Sequence, residues 1–480
     1  MKNIVIFCLT AIFLCSCQGL EVENQNEPET ERVLQTEDDF KAVLDGAAYQ
    51  WFNGLFKPEP AMTLLVAADV GTSSWGNFGM REAGTVGAPY GLGSHSAINN
   101  TVTANYKGFL EIPYNELYSA ATSANDIISV LAQIEIDQET ENQYNAYAYF
   151  LRGIAFGYLG LLFDKALIFD ESSELESLTY EGFVPYDEVI AQAVKDLDSS
   201  VQYANAATSI NIEGFNGISI NKDQLIKLAN GYHAKFLVQS ARTLAETNAI
   251  DWNTVLTRIN SANLDYDFVP IADGNTWWFA QFYTNNAGWM RVDQKVINMV
   301  NPSSSPYPYP EGGYASDADA VSAQDARWGS SVEHKFRFAG AAPFRANRGI
   351  YFYSLWKFND YESWRLAGAR GPMKIFEATE AKLIKAEAHV RLGQDLPTAV
   401  DVINETRVGL GQKEPATVAD TDLLDKIYYE RILELYESIG NGFFDRRRFD
   451  DLGLNQFLHL PIPAKNLDSW GAELYTTGGG

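Results

Sequence analysis

Three tryptophans stand in segments that offer little apolar cover for an indole ring. Trp75 lies in GTSSWGNFG, among glycines and hydroxyl residues, and Trp277 and Trp278 lie side by side in IADGNTWWFAQFYTNN, residues 271–286. An exposed indole can stack on the C–H face of a sugar ring while neighbouring polar groups hydrogen-bond the sugar hydroxyls. The pattern therefore predicts a sugar-stacking surface that contains these three rings.

Short polar side chains near the tryptophans are candidate hydrogen-bond partners for such a ligand, namely Asp69, Asn77 and Asn275. Adjacent side chains point to opposite faces of a strand, and about 100° apart on a helix, so one core cannot easily bury both Trp277 and Trp278. The alternative for each tryptophan is a loop ring packed onto the protein body. The residue pattern leaves both interpretations open.

Motifs for catalysis and for metal binding are missing from the sequence. There is no GxSxG, HExxH, CxxC or GxxxxGK, and the five histidines are scattered singly. Asp317, Asp319 and Asp325 lie in a segment without the glycine and terminal glutamate of an EF-hand, so we expect a solvated acidic loop. We expect no catalytic residue, metal or cofactor, although a glycosidase with an unrecognised carboxylate pair remains an alternative.

The charge balance is strongly acidic, with 36 basic and 62 acidic side chains and a formal net charge of -26. Such a field disfavours nucleic acid and polyanionic polysaccharides as ligands. A neutral ligand is the simplest partner. Acidity that serves only solubility is the alternative explanation.

The first residues, MKNIVIFCLTAIFLCSC, predict an export signal whose apolar run is far shorter than the roughly 20 residues of a membrane span. Leu14 and Ser16 precede Cys17 in the spacing of a bacterial lipobox. We therefore expect a lipoprotein signal peptide over 1–16, acylation of Cys17, and a flexible acidic tether over 17–36.

The rest of the chain, 37–480, predicts a single, mostly α body. Apolar residues recur with helical spacing over 37–56, 104–134, 140–163, 185–204, 221–247, 252–261, 373–392, 396–408 and 420–439. Alanines and a helix-ending LGQ in 382–407 indicate a tetratricopeptide-like helix pair. Loop-rich insertions over 57–103, 205–220 and 263–372 predict a functional surface and a few short strands.

Several ordered segments together resemble the SusD/RagB family of Bacteroidetes outer-membrane lipoproteins. Besides the lipobox, they are YKGFLEIPYNELYSAATSANDIISVL (106–131), AYAYFLRGIAFGYLGLLFDKALI (146–168), SAQDARW (322–328), EATEAKLIKAEAHVRLG (377–393), YYERILELYESIGNGFFDRRRFDDL (428–452) and LHLPIPAKNLD (458–468). SIGNGFFDRRR departs from the family's usual Glu-Gly-x-Arg run, and Asp164-Lys165 stands where Tyr-Gly is common. The resemblance nevertheless spans essentially the entire chain.

The resemblance implies a non-enzymatic, surface-exposed lipoprotein of the outer membrane that binds a glycan and passes it to a SusC-like TonB-dependent transporter. It identifies no sugar-binding residue, so the three tryptophans rest on their local chemistry alone. Two adjoining rings at an angle favour a curved glucan, such as laminarin-type β-1,3-glucan, over a flat ribbon. A helical-repeat protein-interaction scaffold with buried tryptophans is a further alternative.

Overall fold

The computed structural model describes residues 34–73, 75–84, 95–303, 324–340 and 354–479. The predicted signal peptide, the lipidation site Cys17 and most of the predicted tether lie outside the described residues. Described residues form a mostly helical body, as the sequence predicted.

The α-helices, numbered in chain order, have the following bounds: α1 Glu37–Phe56, α2 Pro58–Ala67, α3 Met80–Ala83, α4 Gly108–Leu131, α5 Gln138–Leu162, α6 Tyr186–Ala206, α7 Lys222–Gln239, α8 Leu244–Ala249, α9 Trp252–Ala262, α10 Gln281–Thr284, α11 Gln294–Val300, α12 Glu362–Leu366, α13 Ala378–Leu392, α14 Leu396–Arg407, α15 Leu423–Glu434, α16 Asn441–Arg448 and α17 Ala464–Ser469. Short 3-10 helices cover Asn77–Gly79, Leu175–Ser177 and Tyr180–Gly182.

Each of the nine predicted helical segments contains a helix, although 221–247 is divided between α7 and α8. Helix α1 begins where predicted because the Thr36 hydroxyl and the Asp39 carboxylate cap each other's backbone N–H groups. Helix α2 was not predicted, since its residues were placed in a loop-rich insertion. Its residues 60–67 are all buried, so they carry no amphipathic period that could indicate a helix.

The long helices pack on their neighbours in chain order, α1 on α4, α4 on α5, α5 on α6 and α6 on α7. Gly157 permits the close approach of α5 to α7, because a Cβ there would lie 2.1 Å from a ring carbon of Phe236. The predicted pair α13 and α14 is present and packs through small residues, with Ala386 and Ala399 both fully buried.

A buried charge cluster joins three of these helices. Arg152 of α5 donates to both carboxylate oxygens of Asp196 on α6, at 2.8 and 2.9 Å, and to Asn125 Oδ1 on α4 at 2.6 Å. The side chains of Arg152 and Asp196 are each 1% exposed. Each charge is therefore stable in the interior because the other is present.

Short strands carry the loop-rich regions: β1 Gly71–Thr72, β2 Lys165–Leu167, β3 Phe183–Pro185, β4 Asn211–Ile212, β5 Ile220–Asn221, β6 Ile271–Asp273, β7 Arg291–Val292, β8 Trp328–Gly329, β9 Phe336–Phe338, β10 Trp356–Phe358 and β11 Arg370–Pro372. Among them, β1 pairs with β7, β2 with β3, β4 with β5 and β6 with β11, all antiparallel. Strand β9 lies between β8, which is parallel to it, and the antiparallel β10.

Replacing Arg152 with Met should lower the free energy of unfolding by about 3–5 kcal/mol, because Asp196 would stay buried without its cation. Urea unfolding followed by circular dichroism measures the change. The matched control is Lys382→Ala, which removes the exposed pair with Glu405 and should cost less than about 1 kcal/mol. Equal effects of the two substitutions would refute a stabilising role for the buried pair.

Candidate functional site

Strand pairing between β1 and β7 joins the two largest loop-rich insertions. Gly71 lies opposite Val292, and Thr72 lies opposite Arg291. Just before β1, the carbonyl of Val70 accepts the Asp293 N–H at 2.9 Å and the Tyr436 hydroxyl at 3.0 Å. The pairing therefore holds the residues after β1 beside the residues before β7.

Trp75 and Trp289 stack on each other as a result of this pairing. Their ring centroids are 5.0 Å apart and the ring planes differ by 20°. The Trp75 indole N–H donates to the Gly288 carbonyl at 2.6 Å, which fixes the ring across the two segments. Both indoles are half-buried, so part of each ring is open to solvent.

Four further half-buried rings extend this pair into a continuous surface. We call the set the aromatic cluster, and its members are Trp75, Phe78, Trp278, Phe282, Tyr283 and Trp289. Centroid separations along it are 4.4 Å for Tyr283 to Trp289, 5.5 Å for Phe78 to Tyr283, and 5.3 Å for Trp278 to Tyr283. A surface of rigid half-exposed rings is suited to stacking on a ligand with apolar faces.

Phe78 reaches the cluster through an uncommon backbone conformation. Its φ angle is +58°, in the left-handed region that a bulky residue seldom adopts. The Thr63 hydroxyl of α2 donates to the Phe78 carbonyl at 2.6 Å and holds this turn. Backbone strain of this kind tends to collect at functional sites.

The side chains of the adjacent Trp277 and Trp278 lie in different environments. The Trp277 ring is 7% exposed and stacks on Phe52 of α1 with centroids 4.4 Å apart. The predicted exposure of this ring is therefore wrong, because α1 supplies the apolar cover that the local sequence lacks. Trp278 points into the aromatic cluster instead.

The turn before these tryptophans is fixed by hydrogen bonds. Asp273 Oδ1 accepts the backbone N–H groups of Asn275 and Trp277, at 2.7 and 3.1 Å. Lys57, which follows α1, donates to the Thr276 carbonyl at 2.7 Å. The loop that carries Trp278 is thereby attached to the helical scaffold.

The three predicted polar partners lie in different settings. Asn77 is half-buried beside Phe78, and Asn275 is exposed in the turn before Trp277. Asp69 is only 2% exposed and pairs with His95 at 3.4 Å. This burial removes Asp69 from the ligand-accessible surface, because its carboxylate serves an interior pair.

The predicted acidic loop lies only partly within the described residues. Asp317 and Asp319 lie outside the described residues, and Asp325 is buried in an ion pair with Arg327 at 2.6 Å. Within the described ranges, no group of three histidine, cysteine or acidic side chains is arranged to hold a metal ion.

Sequence reasoning assigned no role to four members of the cluster, Phe78, Phe282, Tyr283 and Trp289. For Trp289 a usable signal exists in NNAGWM, since asparagine and glycine precede the indole as they do at Trp278. Phe78 adjoins Asn77, and Phe282 and Tyr283 follow Trp278 by four and five residues, but only the fold shows that these rings share one surface.

A buried pair positions α10, which carries Phe282 and Tyr283. Asn285 Nδ2 donates to the two Glu437 oxygens at 3.0 and 2.9 Å, and Asn285 Oδ1 accepts the Tyr361 N–H at 3.0 Å. Burial raises the pKa of Glu437 to about 8, so its carboxyl is mostly protonated at neutral pH.

The helical scaffold and its short strands place the chain among proteins with the SusD-like fold. Residues 307–471 match the sequence model of the SusD family, which confirms the resemblance predicted from the sequence. No curated protein matches the chain.

Three solved structures illustrate the shared fold. A SusD-like carbohydrate binding protein from Bacteroides fragilis has a TM-score of 0.60 at 11% identity, over 88% of this chain and 87% of that one. A SusD superfamily protein from Bacteroides vulgatus has a TM-score of 0.58 at 16% identity, with coverage of 91% and 97%. NanU from B. fragilis has a TM-score of 0.58 at 15% identity, with coverage of 94% and 98%.

At identities this low, the structural likeness shows the fold alone. The ligand has to be inferred from this chain's own residues. None of the helices that the structure describes is long and apolar enough to cross a bilayer.

Replacing Glu437 with Gln should make the protein progressively more stable than the unmodified chain as pH rises from 5 to 9. The pKa of Glu437 is raised in the folded chain, so its carboxyl contributes stability that is fully present when the pH is below the ordinary pKa of 4.5. This contribution is lost as the pH rises through the folded-state pKa of about 8. Glutamine carries no titrating proton, so its stability lacks that loss. Urea unfolding at pH 5, 7 and 9 measures the difference.

The control for this series is Glu414→Gln, at an exposed glutamate. Its stability difference from the unmodified chain should stay constant across the same range. A constant difference for Glu437→Gln as well would show that burial does not perturb the Glu437 carboxyl.

Proposed function

We propose that this protein captures a neutral glycan on the aromatic cluster, without breaking any bond. The observation that carries the proposal is the stacked, half-exposed pair of Trp75 and Trp289, held by the β1–β7 pairing. The acidic net charge of -26 favours a neutral ligand over a polyanion. The match to the SusD family and the shared fold with SusD-like carbohydrate binding proteins support the same class of ligand.

The ring geometry favours a curved chain over a flat ribbon. Ring planes differ by 20° between Trp75 and Trp289, by 41° between Trp289 and Tyr283, and by 76° between Tyr283 and Trp278. Sugar rings that stack along such a surface must turn from one residue to the next. A curved glucan, such as a laminarin-type β-1,3-glucan, is therefore the proposed ligand, on these rings rather than on a Trp277–Trp278 pair.

We also propose that the protein works as a lipid-anchored, surface-exposed component of the outer membrane. Resemblance to the SusD/RagB family implies delivery of the glycan to a SusC-like TonB-dependent transporter. The lipobox spacing that ends at Cys17 supports the anchor independently of the family.

Alanine substitution of Trp75 or Trp289 should weaken glycan binding about tenfold or more, because each removes a stacking face from the cluster. Affinity electrophoresis against laminarin, starch, hydroxyethylcellulose and a polyuronate measures binding and ligand class together. Laminarin or starch should retard the unmodified chain, and the polyuronate should not.

The matched control is Tyr106→Ala, which removes an aromatic that is 45% exposed and lies outside the cluster. It should bind like the unmodified chain. Undiminished binding by both tryptophan variants would reject the site, and release of reducing sugar over long incubation would favour the glycosidase alternative.

Replacing Cys17 with Ala should abolish acylation, because the acceptor thiol is lost. Metabolic labelling with a radioactive fatty acid and detergent-phase partitioning would measure the loss, with Cys15→Ala as the control that keeps the acceptor. Recovery of the unmodified lipoprotein from outer membranes without a large barrel protein would contradict the proposed transporter partnership.

A further inference from the structure

A groove elsewhere on the described chain shares no side chain with the aromatic cluster. Its walls are α4, the β2–β3 hairpin with its 3-10 turns, and the end of α17, and its volume is about 560 Å³. Lining residues are Gln50, Tyr114, Asn115, Tyr118, Ser119, Thr122, Ser123, Leu167, Phe169, Leu175, Leu178, Phe183, Asn466 and Trp470. A groove of this size is within the range of small-molecule sites.

Aromatic rings form part of the lining of the groove. Trp470 is 40% exposed and meets the edge of Phe183 at a centroid distance of 6.2 Å, with ring planes at 86°. Tyr118 continues the surface and lies 6.5 Å from Phe169, with planes at 28°. Among the described residues, no acceptor takes a hydrogen bond from the Trp470 indole N–H.

Hydroxyl and amide groups of α4 lie beside Tyr118 in the same lining. Asn115, Ser119 and Thr122 follow one another at spacings of four and three residues, so they share one face of the helix. Across the described chain, neither the Ser119 nor the Thr122 hydroxyl has a hydrogen-bond partner. Asn466 donates to Asn115 at 3.2 Å, while Asn466 Oδ1 is buried without a partner among the described residues.

The lining of the groove contains no acidic or basic side chain, although the protein as a whole has 98 of them, 36 basic and 62 acidic. A charged ligand would therefore enter without a counter-ion, at a large desolvation cost. An apolar segment of another protein would cover the rings but leave the hydroxyls and amides of the lining unpaired. A sugar presents both a C–H face for the rings and hydroxyls for these polar groups.

We propose that this groove is a second carbohydrate-binding site, which takes a neutral oligosaccharide with one sugar ring on Trp470. The inference rests on the proposed function for the class of ligand, but uses residues that the aromatic cluster does not share. Two separated sites on one chain would hold a long glycan at two points and raise its apparent affinity above that of either site.

The test uses the full-length lipoprotein in detergent. Isothermal titration calorimetry measures its binding to three glucose hexasaccharides (hexaoses), which are β-1,3-, α-1,4- and β-1,4-linked. Binding that remains in Trp289→Ala should weaken about tenfold when Trp470→Ala is added. Thr122→Val keeps the side-chain shape and removes the hydroxyl, so it should weaken the same binding several-fold. Leu474→Ala, at a side chain that is 43% exposed outside the groove, should change nothing.

The outcomes separate the two sites. Loss of all hexaose binding in Trp289→Ala, with no effect of Trp470→Ala or Thr122→Val in any background, overturns the second site and leaves the proposed function standing. Weaker binding in Trp470→Ala but not in Trp75→Ala or Trp289→Ala supports the groove and rejects the aromatic cluster as the site. Unchanged hexaose binding together with reduced co-purification of a membrane protein in Trp470→Ala would make the groove a protein-docking surface and overturn the proposal.

Discussion

The pairing of β1 with β7 is the constraint on which the candidate site depends. Strands of two residues each are too short to be stable on their own. Buried contacts support them from outside, since the Tyr436 hydroxyl donates to the Val70 carbonyl and the Ser354 N–H donates to the Val292 carbonyl, both at 3.0 Å. The stacked tryptophans are consequently attached to the core of the C-terminal region. A surface fixed in this way loses little conformational freedom when a ligand binds.

Charge is distributed so that both candidate surfaces stay neutral. Buried acidic and basic side chains are present in nearly equal number among the described residues, as in the pair of Arg448 with Glu387 at 2.7 Å. The acidic excess of the chain therefore lies mostly outside the core. The six cluster rings and the fourteen groove residues nevertheless include no acid or base. Such surfaces can bind uncharged ligands without the cost of stripping water from a charge.

Much of the helical scaffold was predictable from sequence, because helices such as α4, α6 and α9 bury mainly one face. Amphipathic spacing indicated α1 and α9 nearly to the residue, whereas α2 was missed because its residues 60–67 are all buried. The site was harder to predict, since the contact of Trp75 with Trp289 depends on a pairing across more than 200 residues. Asp69 shows the same limit, because its burial beside His95 follows from tertiary packing that no local pattern encodes.

The two adjacent tryptophans explain how a loop can be both rigid and exposed. Trp277 stacks on Phe52 in the core, and Trp278 stands in the aromatic cluster beside Tyr283. Ordering one residue of a flexible loop costs about 1–2 kcal/mol, so a loop with both rings in solvent would lose affinity when a ligand fixed it. With the first ring buried, folding has already met that cost before any ligand arrives. The burial of Trp277 thus favours ligand stacking by Trp278, because it holds the half-exposed Trp278 ring in place.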